Sequence, residues 1–213
     1  MNAPASNVVG CVLAGGLARR MGGGDKTLKE LAGKPMLAHV IARLRPQVRC
    51  VMLNANGDPA RFSAFGLPVE ADLVEGFAGP LAGVLAGLEW ARANEPDAEF
   101  VVSVAGDTPF FPRDLVSRLL SASQSPGEIV LARSDEGMHP VFGLWPVSLA
   151  DDLRDFLENG ETRKVLAFVD RHPNRSVHFN AVRAETAAFD PFFNINTPEE
   201  LETAEALYQG KAA

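Results

Sequence analysis

The chain has 213 residues, 46% of them hydrophobic and 22% charged, and a net charge of −7. That is enough for one α/β domain with its own core, and the acidic balance argues against a general nucleic-acid surface. No apolar run approaches the ~20 residues that span a bilayer. The opening MNAPASN has neither the basic nor the apolar region of a signal peptide, so a cytoplasmic protein with no membrane contact is expected.

An apolar run from Val8 to Leu13 reads as a strand, and residues 1–7 read as a disordered lead-in. The strand runs into LAGGLARRMGGGDK (13–26), where two glycine clusters enclose Arg19 and Arg20 and precede Asp25 and Lys26. Pro35 suits the first turn of a helix carrying Met36, Leu37, Val40, Ile41 and Leu44 on one face. Val48 to Leu53 is a short strand ending at Asn54, Asn56 to Pro59 a turn, and Leu67 to Glu70 a strand followed by Asp72. The next helix runs from about Pro80 to Asn94 and sets Gly79, Gly83 and Gly87 on one face. Close packing against a sheet would explain such a face, and so would contact with a ligand.

Phe100 to Ala105 is the strongest candidate for a central strand, with Gly106-Asp107-Thr108-Pro109 at its carboxyl end. A helix over Pro112–Leu120 follows, then strands over Glu128–Arg133 and Pro140–Trp145 joined by a polar turn. Leu149 to Asn159 reads as a helix stopped by Gly160 at C′, and Thr162 to Asp170 as another. Val177–Asn180 and Phe192–Ile195 look like late strands, and Thr197-Pro198-Glu199-Glu200 is a capping box opening a last helix to about Tyr208. Cys11 and Cys50 sit in apolar runs without metal or disulfide spacing, as buried thiols do. The pattern predicts one Rossmann-like α/β domain over 1–213 with a mostly parallel, doubly wound sheet and a mixed C-terminal part.

Charge and glycine point to the chemistry. Residues 1–50 carry eight Lys+Arg against two Asp+Glu, so the basic segment is the one that holds the glycine loop. A loop of free N–H groups flanked by cations is an anion cradle, and a polyphosphate suits it. It is not a P-loop, because Asp25 separates the last glycine from Lys26, and Gly15-Gly16 breaks the dinucleotide fingerprint. In a doubly wound sheet ligands bind at the carboxyl ends of strands, where the glycine loop, Asn54, Asp72 and Asp107 all fall. A carboxylate at 107 beside a triphosphate calls for a divalent cation between them, so Asp107 is the candidate magnesium ligand. Lys26 is a point charge for phosphate and Arg19 a bidentate clamp. Asp25 orients Lys26 or caps the next element on this reading. Asn54 and Asp72 could read a base edge or ribose hydroxyls, or simply form turns. No histidine stands in triad or metal spacing, and an acceptor that is already an ionised phosphate needs no activated nucleophile.

The blocks LAGG-x-x-x-RMGG-x-DK (13–26), LNAN (53–56), GPLAG (79–83), GDTPF (106–110), HPVFGLW (139–145) and NINTPEEL (194–201) occur in an order that resembles the molybdenum cofactor guanylyltransferase (MobA) family across nearly the whole chain. The resemblance implies a fold like that of nucleotide-diphospho-sugar transferases, with a nucleotide-binding half at 8–120 and an acceptor-binding half at 121–208. It implies Mg2+-dependent transfer of GMP from GTP to molybdopterin, releasing pyrophosphate. Leu13, Ala14, Gly15, Gly16, Gly22, Lys26, Asn54, Asp72, Gly79, Gly83 and Asp107 would bind GTP, with Arg19, Lys26 and Asp107 catalytic. His139, Arg163, Asn194 and Asn196 would face the acceptor. Similar enzymes that use CTP have LAAG where this chain has LAGG, so Gly15 favours the larger base. Transient contacts of a monomer with molybdopterin-insertion proteins or apoenzymes are also implied. The competing expectations are a transferase using CTP or another phosphorylated acceptor, and a non-catalytic carrier of pterin cofactor.

Overall fold

The computed structural model describes residues 4–15, 25–74, 79–160, 162–183 and 188–209. The chain opens with β1 (Ala5–Leu13), then a 3-10 turn at Lys26–Leu28, β2 (Glu30–Leu31), β3 (Lys34–Pro35), α1 (Met36–Leu44) and β4 (Val48–Asn54). A 3-10 segment at Pro59–Phe65 leads to β5 (Val69–Glu70), α2 (Pro80–Asn94), β6 (Phe100–Ala105) and α3 (Leu115–Ala122). The remainder is β7 (Ile129–Ser134), β8 (Gly137–Pro146), α4 (Ala150–Asn159), α5 (Val165–Val169), β9 (Asn174–His178), β10 (Val182–Arg183), β11 (Ala188–Phe189) and α6 (Pro198–Gln209).

The main sheet has the order β5-β4-β1-β6-β8-β7-β9. Its first four strands pair in parallel, and β8 runs antiparallel to both β6 and β7, so β8 alone is reversed. This is the mixed, mostly parallel sheet that the strand–helix alternation predicts.

Side chains alternate between two cores, as the period of a strand requires. Val8 and Val12 of β1 join the face covered by α1 and α3, whereas Val9 and Cys11 join the face covered by α2, α4 and α5. A third, smaller cluster of Leu31, Met36, Phe110, Ile195 and Ala204 lies under α6. On the second face, a Cβ at Gly87 would come within 2.9 Å of Cys11 Sγ, so this glycine lets α2 lie close on the sheet. Cys11 is fully buried, but Cys50 is only half-buried.

Several expectations need correction. Pro35 is the residue before α1, with ψ 139, and not its first helical residue. α3 begins at Leu115, since Asp114 before it lies outside helical geometry (φ −111, ψ 14). Gly160 is not a left-handed cap: its φ of −80 is extended, and its smallness is needed because a Cβ would strike Phe156 O. Residues 192–195 are not a strand, since Asp190 folds this stretch into a turn by accepting from Phe192 N at 2.6 Å. The polar connection at 134–139 is mostly strand, and β8 reaches back to Gly137. Further elements escaped the sequence pattern, among them the 3-10 segment Pro59–Phe65, the β10–β11 pair, and the β2–β3 hairpin with Ala32 and Gly33 both left-handed (φ 50 and 73). Ala32 is held there by its N–H, which donates to Glu205 Oε1 of α6 at 2.7 Å. The capping box forms as expected: Glu200 N donates to Thr197 Oγ1 at 3.2 Å and Thr197 N to Glu200 Oε2 at 3.0 Å.

Candidate active site

The carboxyl ends of β1, β4, β5 and β6 lie in one row, laced together by backbone hydrogen bonds past the last ladder pairs. Ala14 N donates to Asn54 O (2.9 Å), Ala55 N to Glu70 O (2.9 Å) and Gly106 N to Leu13 O (3.0 Å). A Cβ at Gly106 would lie 2.8 Å from Thr27 Cγ2 and 3.1 Å from Leu13 O, so glycine is what allows the start of the loop and the strand carrying Asp107 to touch. Gly15 is exposed at the end of this row, with open space where a Cβ would be.

Lys26 lies at the centre of the next layer. It is only 9% exposed, and its Nζ reaches Asp107 Oδ2 at 2.5 Å, Asn196 Oδ1 at 2.5 Å and Asn194 Oδ1 at 3.4 Å. An ammonium has three protons and no acceptor capacity, so two amide oxygens and a carboxylate answer it fully. Burying such a charge costs several kcal/mol unless it is paired in this way. Asp107 keeps its second oxygen near Thr108 Oγ1 at 3.3 Å. The asparagines come from far along the chain, and Ile195 between them brings them in: its N–H donates to Asp107 O at 3.1 Å and its side chain fills the small core with Leu31, Met36 and Phe110. The same core therefore carries the chain that follows Lys26, the chain that follows Asp107 and the asparagine segment.

At the far end of the row Asn54 is buried, and its Nδ2 donates to Asp72 Oδ1 at 3.0 Å and Glu70 O at 3.2 Å. Asn56 clamps Asp72 from the other side, donating to Oδ2 at 2.7 Å while its own Oδ1 accepts from Asp72 N at 2.8 Å. Gly83 faces this network: a Cβ there would lie 2.9 Å from Asn54 Cγ and 2.7 Å from Leu13 Cδ2. Gly79, the residue before α2, is exposed and faces open space. Asp25 neither orients Lys26 nor caps the turn through its side chain; it stands 2.7 Å from Arg61 Nε, out of hydrogen-bonding alignment. Arg61 Nη2 in turn donates to Asn56 O at 2.5 Å.

A second polar cluster occupies the end of β7 and β8. His139 Nε2 is 2.7 Å from Ser134 Oγ, which donates to Asp190 Oδ2, and the imidazole stacks on Phe192 with centroids 4.4 Å apart. Burial pushes the His139 pKa below its ordinary 6.5, against the pull of Asp190 and Glu136. This is not a nucleophile triad. The serine oxygen stands between the other two groups, gives its proton to the carboxylate and is 3% exposed. Pro140 helps to place His139: β8 bulges between His139 and Gly143, where the ladder register shifts, and proline has no N–H for a ladder bond. Arg163 is exposed in the connection between α4 and α5. Gly16, Arg19, Arg20 and Gly22 lie outside the described residues.

Among the described residues no group of three or more His, Cys, Asp or Glu side chains gathers as a metal cage. Magnesium commonly takes one or two carboxylates and its remaining ligands from water and phosphate, so a metal site need not take the form of such a cage. Ser134, Asp190, Asn56 and Arg61 are the polar residues that sequence reasoning passed over. The sole signal for them was local, since Asp190-Pro191 and Asn56-Gly57 are turn dipeptides.

Residues 10–176 match the family model of the MobA-like NTP transferase domain. The chain is 52% identical over 204 residues to a molybdenum cofactor guanylyltransferase of Mesorhizobium japonicum, covering 95% of this chain and 97% of that protein. A crystal structure of molybdopterin-guanine dinucleotide biosynthesis protein A from Archaeoglobus fulgidus superposes with a TM-score of 0.70 at 25% identity, over 94% of this chain and 98% of that one. A CMP:2-keto-3-deoxy-manno-octonic acid synthetase complexed with CTP shares the fold, with a TM-score of 0.69 at 16% identity over 96% and 99%. No helix among the described residues is long and apolar enough to cross a membrane. With the sheet order, the row of strand ends and the full-length similarity all in agreement, the chain belongs to the MobA-like nucleotidyltransferase family, the family of the molybdenum cofactor guanylyltransferases.

Proposed function

We propose that this nucleotidyltransferase transfers GMP from GTP to the terminal phosphate of molybdopterin, forming the guanine dinucleotide and pyrophosphate. The observation that carries the reading is the convergence of Lys26, Asp107, Asn194 and Asn196 at the carboxyl ends of a doubly wound sheet. An ionised oxygen of the acceptor phosphate attacks the α-phosphorus, the bond to the β-phosphate oxygen breaks, and pyrophosphate leaves with the electron pair. The attacking oxygen is already deprotonated, so no general base is required of the chain.

In this proposal Lys26 neutralises charge that builds on the phosphates, and the two asparagines fix its direction through their carbonyl oxygens. An asparagine with its oxygen on the lysine turns its NH2 elsewhere; that of Asn196 donates to Asn194 O at 3.4 Å, and its second N–H would serve anionic oxygens. Arg19 and the amides of Gly15, Gly16 and Gly22 would hold the triphosphate, and Leu13, Ala14, Asn54, Asp72, Gly79 and Gly83 would take the nucleoside. His139 and Arg163 would face molybdopterin. The donor set around Asp107 fits a magnesium ion, because among the described residues Oδ1 has only a long contact with a hydroxyl. Asp107 would hold that ion, which supplies charge neutralisation between carboxylate and phosphates. The proposal extends to a monomer in the cytoplasm that meets insertion proteins or apoenzymes in passing. Two unbonded thiols accord with that compartment.

The test is pyrophosphate release with magnesium and molybdopterin, run with GTP and with CTP. GTP-dependent release is expected. A preference for CTP would overturn the choice of base, and nucleotide binding without any release would favour a carrier.

A further inference from the structure

We propose that Asp190 and Ser134 are positioning residues for the transfer reaction: together they form a latch that ties the asparagine segment to the end of β7 and sets the proton on His139. The inference rests on the function proposed above and goes beyond the residues named there.

The latch has two jaws. Asp190 is 8% exposed, and each of its oxygens has a separate task. Oδ1 accepts from Phe192 N at 2.6 Å, and its backbone oxygen accepts from Phe193 N at 3.1 Å, so the turn entering Asn194 is built on this residue. Oδ2 accepts from the hydroxyl of Ser134, the last residue of β7. The turn is thereby anchored to the sheet on one side. On the other side Ile195 N bonds to Asp107 O, and Asn194 lies between the two anchors, whereas Asn196 follows the second and is held by its own N–H, which donates to Glu200 Oε2 at 2.5 Å. Loosening the first anchor would let Asn194 drift from the lysine, although it does not touch Asp190.

Proton accounting gives the latch its second role. An ionised carboxylate only accepts, so the Ser134 proton must point at Asp190. The serine oxygen then accepts, from Glu136 N at 3.2 Å and from His139 Nε2 at 2.7 Å. His139 therefore carries its proton on Nε2 and keeps Nδ1 as an acceptor. Stacking on Phe192, a residue of the same turn, holds the ring plane.

Asp190→Ala, Asp190→Asn, Ser134→Ala and Asn194→Ala separate positioning from bulk stability. In the pyrophosphate-release assay Asp190→Ala is expected to lower kcat about tenfold or more, while GTP affinity measured by direct binding changes by less than about threefold. In an Asn194→Ala background the same substitution should add almost no further loss, because both act through one lysine. Asp190→Asn keeps an oxygen for Phe192 N and turns its NH2 to Ser134, so activity should largely recover. The serine proton then turns to His139 and the imidazole proton moves to Nδ1, which long-range 15N NMR of the ring reads directly. Ser134→Ala removes the bridge without altering the turn and serves if Asp190→Ala does not fold. Unchanged kcat in Asp190→Ala or Ser134→Ala, fully additive losses with Asn194→Ala, or the same tautomer in Asp190→Asn and the wild type would overturn the proposal. If the wild type released no pyrophosphate, the proposed function would fall, and the NMR readout would still judge the latch.

Discussion

Gly83 and Gly15 both stand in motifs that suggest nucleotide contact, yet their surroundings predict opposite responses to a methyl group. In Gly83→Ala the new Cβ would meet Leu13 Cδ2 at 2.7 Å and Asn54 Cγ at 2.9 Å, with Asn54 Oδ1 closer still. Real Cβ atoms do not come that near, so Asn54 must swing away. It then gives up hydrogen bonds to Asp72 and Glu70, each with a net contribution of roughly 1 kcal/mol. Overpacking adds about 1–3 kcal/mol. Replacing a mid-helix glycine by alanine returns about 1 kcal/mol. The expected net destabilisation is roughly 2–4 kcal/mol, a fall in Tm of roughly 5–15 °C for a chain of this size. Gly15 has open space about its missing Cβ, so Gly15→Ala should leave Tm within about 1 °C and act on nucleotide choice alone, lowering kcat/KM for GTP relative to CTP. Thermal unfolding together with GTP and CTP kinetics decides between them. A Gly83→Ala protein as stable as the wild type would show that Asn54 is not packed against α2 as described.

Three other outcomes follow from the same geometry. Asp107→Ala should lose turnover and also some stability, because Lys26 keeps both asparagine oxygens but loses its counter-charge; near-normal pyrophosphate release would remove Asp107 from the chemistry. Lys26→Met should lower kcat by roughly 10²–10³, the loss seen when one donor to developing charge is removed. Because burial holds His139 below 6.5, the unfolded chain takes up its proton at a higher pH than the folded one. Its contribution to stability is then complete above pH 6.5 and lost as the pH falls through the lower folded value. Urea unfolding of the wild type and His139→Gln about one pH unit either side of 6.5 checks this, and an equal pH slope in the two proteins would contradict it.

The thiols offer a last check on burial. Cys11 has its pKa raised to about 12, chiefly by burial, and Cys50 to about 11 by burial and the nearby Glu95. Neither is appreciably ionised at neutral pH, so the native protein should resist iodoacetamide, as followed by intact mass, and react after unfolding in urea. Rapid labelling of Cys11 in the native state would mean that α2 lifts from the sheet.

Local sequence determined the parts of this protein that depend on near neighbours. Apolar runs marked β1, β4 and β6, the helical spacing of apolar residues marked α1, and the capping box marked the start of α6, because turns, caps and periodicity arise within a few residues of chain. Where the carboxyl ends of parallel strands must lie is also implicit in that alternation, so Asn54, Asp72 and Asp107 could be singled out in advance.

Which polar groups meet was decided by tertiary structure alone. Lys26 and Asn196 are 170 residues apart and Ser134 and Asp190 are 56 apart, and no local rule relates either pair. Residues 192–195 show the limit clearly: their composition favours a strand, but a carboxylate two residues upstream offers Phe192 N–H a closer partner, and the backbone turns. Asp25 likewise follows a distant arginine in place of its neighbour Lys26. Short-range preference is worth tenths of a kcal/mol per residue, whereas answering a buried charge is worth several. That difference in magnitude is why the pairing of Lys26 became visible only in three dimensions.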